Sequence, residues 1–137
     1  MQIGVYCQNQ LIHSVELNDR ASTQLPLVLR RLLNEYDFDE MVYVNSPGSF
    51  MALKIAYVTL QTLHILKNIP LKAVDGFVCN NNKPIKAIGK IYFVKEDGTI
   101  TTKKFQDAVK QEFVLPVSLN GLKLHEDTAP KYEIAAV

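Results

Sequence analysis

The sequence predicts an α/β fold: a mixed sheet with two principal helices. Three observations predict it. Met41-Val42-Tyr43-Val44 is a compact apolar run of the kind buried on both faces, and it leads through a Pro-Gly turn into a long apolar helix and then a further short strand, Leu71 to Val74. Strand, helix and strand with short joints form a βαβ crossover, so part of the sheet is parallel. The two ends of this unit are flanked by hairpin signals, so other strands are antiparallel.

In chain order, Met1–Cys7 and Leu11–Leu17 are β-rich runs around Gln8-Asn9-Gln10 and read as a hairpin. Ser22 and Thr23 offer hydroxyl caps to a helix running to Tyr36, and Pro26 is expected in its first turn, where a missing N–H costs nothing. Leu25, Val28, Leu29, Leu32 and Leu33 recur on that helix at helical spacing. Asn45-Ser46-Pro47-Gly48-Ser49 is a turn, with Ser49 expected as the N-cap of a second helix over Phe50–Lys67. Asn68 and Pro70 stop that helix. Lys86–Lys95 and Thr99–Phe105 read as strands around an Asp97-Gly98 turn, and Phe113–Leu119 as a further strand. The tail after Asn120 is weakly patterned. Residues 1–82 form the core with the strand-turn-helix, and residues 83–137 add a hairpin and an extension of the same domain.

Composition narrows the function. The chain has 137 residues, 47% hydrophobic and 21% charged, which fits one globular domain rather than a disordered or fibrous chain. A net charge of +1 does not fit a polycationic nucleic-acid binder. Cys7 and Cys79 are too few for a disulfide scaffold and are expected as reduced thiols. The opening residues have no basic and apolar leader, and Phe50–Leu66, interrupted by Lys54, Gln61 and His64, falls short of a membrane span. A cytoplasmic protein is expected.

Chemistry-bearing patterns are sparse. His13, His64 and His125 are not spaced as a ligand pair, and no metal site is expected. Ser46 and Ser49 flank Pro47-Gly48 without the G-x-S-x-G of a nucleophile elbow. The turn could present N–H groups to an anion, yet no Walker lysine follows. Lys83–Lys110 holds seven lysines against Glu96, Asp97 and Asp107, a net of +4. These lysines either guard a sheet edge or face RNA.

The second helix is the most informative element. At about 100° per residue, its apolar residues cover about 240°, where one sheet face needs about 100°. It is therefore either sandwiched in a larger core or binds a partner. One half of the arc holds Met51, Ile55, Val58, Ile65 and Leu66; the other holds Ala52, Leu53, Ala56, Leu60 and Leu63. The first half is the expected partner face, joined by Leu25, Leu29 and Leu32 of the first helix. His64, Tyr57, Phe50, Gln61 and Lys54 fall in the remaining mixed sector.

Asn45-Ser46-Pro47-Gly48-Ser49-Phe50-Met51-Ala52-Leu53-Lys54-Ile55-Ala56 resembles the signature of the TsaB (YeaZ) family, in which a strand ends in Gly-Pro-Gly-Ser-Phe-Thr-Gly-Leu-Arg-Ile-Gly and a helix follows. Ser22-Thr23-Gln24 and Asn68–Val74 are similar to the family's first helix opening and its return to the next strand. The resemblance covers about residues 10–76. It implies an actin-like (ribonuclease-H-like) fold in shortened form, and a role as the non-catalytic partner of TsaD, with TsaE, in making threonylcarbamoyladenosine beside the tRNA anticodon. Pro47, Gly48, Ser49 and Phe50 carry the motif turn. The family's opening strand, ending in Asp-Thr-Ser/Ala, has no counterpart here. The motif's Thr, Gly, Arg and Gly are Met51, Ala52, Lys54 and Ala56, and no His-x-x-x-His pair follows Val74. With these departures the expectation is no cofactor, weak or absent ATP binding, and no catalysis by this chain. Contact with tRNA is then indirect or through residues 83–110. The alternatives are a homodimeric interaction protein and a small actin-like-fold enzyme, kinase-like or peptidase-like.

Overall fold

The computed structural model describes residues 1–18, 20–47 and 50–131. Among the described residues it is an α/β molecule with two α-helices and three small sheets. β1 (Gln2–Cys7) and β2 (Gln10–Glu16) form the antiparallel hairpin. Gln8 and Asn9 both turn through positive φ (52° and 64°), a pairing that suits a two-residue hairpin.

α1 spans Ala21–Glu35. Its entry differs from the expected hydroxyl cap. Arg20 occupies the cap position without a side-chain bond, and Ser22 and Thr23 already lie inside the first turn. The entry is instead shaped by Asn18, whose Oδ1 accepts the Arg20 N–H at 3.0 Å, and by Gln24, whose Oε1 accepts the Asn18 N–H at 3.3 Å. Pro26 is the sixth helical residue rather than part of the first turn, so a bond to the Ser22 carbonyl is forfeited.

β3 (Met41–Ser46), α2 (Phe50–Lys67) and β4 (Leu71–Asp75) form the crossover, with β3 and β4 parallel. α2 lies on this pair and against α1. Tyr43, Leu60, Leu71 and Ala73 form the buried centre, packed round by Leu29, Met41, Ala56, Tyr57 and Leu63. α2 ends where Asn68 takes a left-handed φ of 58°, and the His64 Nδ1–H closes the end by donating to the Ile69 carbonyl at 2.7 Å.

A 3-10 turn, Gly76–Cys79, follows β4, capped by the Asp75 carboxylate accepting the Phe77 N–H at 3.0 Å. Gly76 is required by proximity: a Cβ there would lie 3.0 Å from the Pro47 carbonyl oxygen. β5 (Ile85–Ile88), β6 (Ile91–Glu96) and β7 (Thr99–Lys104) then form an antiparallel meander. The single strand expected over Lys86–Lys95 is broken at Gly89, whose φ of +56° turns the chain back. The Asp97-Gly98 turn forms as expected, with φ positive at both residues (52° and 79°). Phe77, Ile85 and Phe93 make a second buried cluster under the meander.

Two further expectations are corrected. Parallel and antiparallel ladders stay in separate sheets, not one mixed sheet. Phe113–Leu119 is not a strand. It is a strap beside the β1–β2 hairpin with one bridge, Gln10 to Ser118, and backbone bonds from Leu11 N–H to Val117 O and from Leu119 N–H to Asn9 O. The segment's carbonyls are instead taken by side chains, Tyr6 Oη donating to Pro116 O at 2.6 Å and Gln2 Nε2 to Phe113 O at 2.9 Å.

Candidate functional site

The strand-end region gathers the polar residues. Asn45, Ser46 and Pro47 at the end of β3 are all buried, and the Ser46–Pro47 bond is cis. Gly48 and Ser49 lie outside the described residues, as does the Phe50 side chain, so the motif turn is placed only through Pro47 and the start of α2. Beside it, Asp75 at the end of β4 is engaged twice: by the Phe77 N–H and by an ion pair with Lys95 of β6. That pair joins the meander to the parallel strands.

Cys79 follows on the same turn. Burial, and next the negative Asp75, push its thiol above the ordinary 9.0. Tyr6, from β1, is raised above its ordinary 10.0 by burial and next by Cys79. A raised thiol is a protonated and unreactive one at neutral pH. Cys7 is exposed. Iodoacetamide at pH 7.5 is therefore expected to modify Cys7 fully before Cys79 reacts, a difference read by peptide mass spectrometry; equal rates would contradict this placement. Both raised groups hold their proton better folded than unfolded. Their contribution to stability is complete below the unfolded values and is lost as pH rises through the folded ones.

The α2 surface is the second candidate. Leu53 and Leu60 are buried and Ala56 and Leu63 pack on the core, whereas Met51, Val58 and Ile65 are 63%, 54% and 69% exposed. Spaced seven apart, these three form one stripe, with Leu66 (72% exposed) beside it and half-buried Ile55 at its margin. The apolar arc thus divides close to where the sequence divides it. Ala52 is the exception, exposed although it was assigned to the covered half. Tyr57 and His64, assigned to the mixed sector, turn inward: Tyr57 packs against Tyr43 at 6.2 Å between ring centroids, and His64 closes the helix end. Both rings are amphipathic enough to bury a body while keeping a polar tip satisfied.

The expected contribution of α1 to a partner face is corrected. Leu25 and Leu32 are only 4% and 2% exposed, and Leu29 packs on the central cluster. They are committed to the fold. Leu27, 67% exposed, is the outward leucine of α1.

The lysines of residues 83–110 do not form one patch. In the meander Lys86 and Lys103 share a face with Tyr92, while Lys104 lies with Ile91 on the other. Lys95, Lys103 and Lys110 pair with Asp75, Glu96 and Glu112. Lys103 and Lys104 sit on β7, one of the sheet's two edge strands, where charge discourages edge-to-edge pairing. Among the described residues there is no cluster of three or more His, Cys, Asp or Glu side chains able to hold a metal, and no helix long and apolar enough to cross a membrane.

No family model matches the sequence, and no curated protein matches it. Two solved structures are similar in fold. One is YeaZ from Pseudomonas aeruginosa; the other is described as an uncharacterized protein with similarity to peptidase YeaZ from Pseudomonas aeruginosa. Each aligns with 81% of this chain at 16% identity and a TM-score of 0.52. The chain spans 66% and 65% of their respective lengths, so it accounts for about two thirds of a YeaZ-like structure.

Proposed function

We propose that this YeaZ-like chain is a TsaB-type subunit: a non-catalytic, actin-like domain of the cytoplasm that docks on TsaD, with TsaE, in the complex that makes threonylcarbamoyladenosine in tRNA. The observation that carries this reading is the exposed Met51-Val58-Ile65 stripe on a helix whose opposite side already covers the strands. A contiguous apolar stripe on a helix that needs no further core marks a protein contact. The Pro47–Ala56 motif and the likeness to YeaZ support the choice of partner.

The non-catalytic part of the reading is supported by the state of the strand-end groups. The Asp75 carboxylate is occupied by an N–H and an ammonium, and the nearby Cys79 thiol is held protonated. The division of the lysines between two faces favours indirect tRNA contact. Such a subunit acts by favouring one conformer of its partner, by at most its differential affinity for the two.

Mixing the full chain with TsaD from the same organism and measuring mass by size-exclusion light scattering tests the reading. The expected result is a species carrying both chains. Unchanged elution of each protein overturns it, and self-association without TsaD binding would favour the homodimeric reading.

A further inference from the structure

Residues 125–131 lie along the parallel strands and are held almost wholly by their main chain. His125 exchanges both backbone bonds with Ala73 of β4, at 2.9 and 2.8 Å. Asn45 Nδ2 donates to the carbonyls of Asp127 (3.4 Å) and Ala129 (3.1 Å). Tyr43 Oη donates to the carbonyl between them, that of Thr128. The Lys131 N–H donates to the Asn45 carbonyl at 2.9 Å. The receiving residues are buried: Ala73, Asn45 and Tyr43 are 0%, 2% and 7% exposed. No residue of the segment is fully buried: His125, Thr128 and Pro130 are half-buried and the other four are exposed, and the Asp127 carboxylate accepts the Ala129 N–H within the segment.

This asymmetry has a chemical meaning. A buried carboxamide needs acceptors for both its hydrogens, so the strand ends favour some extended backbone there. The hydrogen bonds to the strands do not select which side chains that backbone carries. Affinity from main-chain bonds with tolerance of sequence is the character of strand-addition sites. A segment that contributes little apolar burial also detaches at low cost compared with the core.

We propose that the ends of β3 and β4 form a receptor for an extended peptide, filled in cis by residues 125–131 and open to exchange with a peptide strand from a partner. The incoming strand needs free N–H groups at the places of His125 and Lys131, and so carries no proline there. This receptor stands apart from the α2 stripe and does not depend on the TsaB-type reading.

The test uses the full chain with residues 125–131 loosened by His125→Pro and Lys131→Pro, and a fluorescein-labelled peptide spanning residues 122–131. Removing the competing segment should tighten peptide binding, read by fluorescence polarisation, about ten-fold or more over the unaltered chain. A peptide with Glu126 and Thr128 interchanged should bind within about two-fold of the first, whereas one carrying proline in place of His125 should not bind. Adding Asn45→Ala to the loosened chain should abolish the gain. Equal binding to loosened and unaltered chains, or strong dependence on side-chain order, overturns the proposal. Hydrogen exchange on the unaltered chain provides a measurement that needs no variant. The Ala73 and Lys131 amides should exchange at least about 100-fold faster than that of Val74. Equal protection at all three would make residues 125–131 part of the core and overturn the proposal.

Discussion

Leu60→Glu is expected to leave no folded protein. Leu60 is 9% exposed and packs with Tyr43, Leu71 and Ala73 at the centre where α2 meets both parallel strands. Losing a buried leucine costs about 2–5 kcal/mol. The carboxylate that replaces it finds no cation among the residues of this cluster, and an unpaired buried charge costs several kcal/mol more. Together these consume a total stability of about 5–15 kcal/mol. Circular dichroism should show no cooperative melting transition. Leu60→Met, which nearly conserves volume, should cost less than about 1.5 kcal/mol and keep the transition. A cooperative melt of Leu60→Glu close to that of the unaltered chain would show that this cluster is not the core.

On the other side of the same helix, the double variant Met51→Glu, Val58→Glu should behave in the opposite way. At 63% and 54% exposure both new carboxylates remain in water, so each should change stability by no more than about 0.5 kcal/mol. Placed at the centre of the proposed TsaD contact, they should weaken association about 100-fold, or about 2.8 kcal/mol. Titration calorimetry reads the loss, and a melting curve taken alongside confirms that the fold is intact. Unaltered TsaD affinity in the folded variant would remove the stripe from the interface.

The crossover and the division of α2 are legible in the sequence because side-chain burial leaves a period. Leu53, Leu60 and the Met51-Val58-Ile65 stripe differ in their angle around the helix, and that angle is written in their spacing. What spacing cannot give is the direction of a single stripe. Leu25, Leu29 and Leu32 share one face of α1 whether that face meets strands or a partner, and only the packing resolves it toward the core. Position within a turn is equally opaque: at the start of α1 Asn18 Oδ1 accepts the Arg20 N–H and Gln24 Oε1 accepts the Asn18 N–H, while the better cap formers Ser22 and Thr23 stand two and three residues past the cap position. The placing of residues 125–131 along β3 and β4 was hidden for another reason. Their carbonyls and N–H groups make the contacts, and the main chain is the same in every residue. The one visible trace is on the receiving side, where Asn45 extends the apolar run Met41–Val44 with a buried amide that had to find acceptors.

The hydrogen bonds that fasten the β1–β2 hairpin to the rest of the molecule reach residues 113–120. Gln2 to Phe113, Tyr6 to Pro116 and Gln10 to Ser118 each span 108 to 111 positions. On a translating ribosome the hairpin is made about a hundred residues before its anchor. At about 5–20 residues per second, roughly 5–20 s pass before the strap exists. An isolated two-stranded hairpin is marginal in water. During that interval the first strands have no fixed place, whereas α2 packs on β3 and β4 through contacts closer in sequence and forms that core before them.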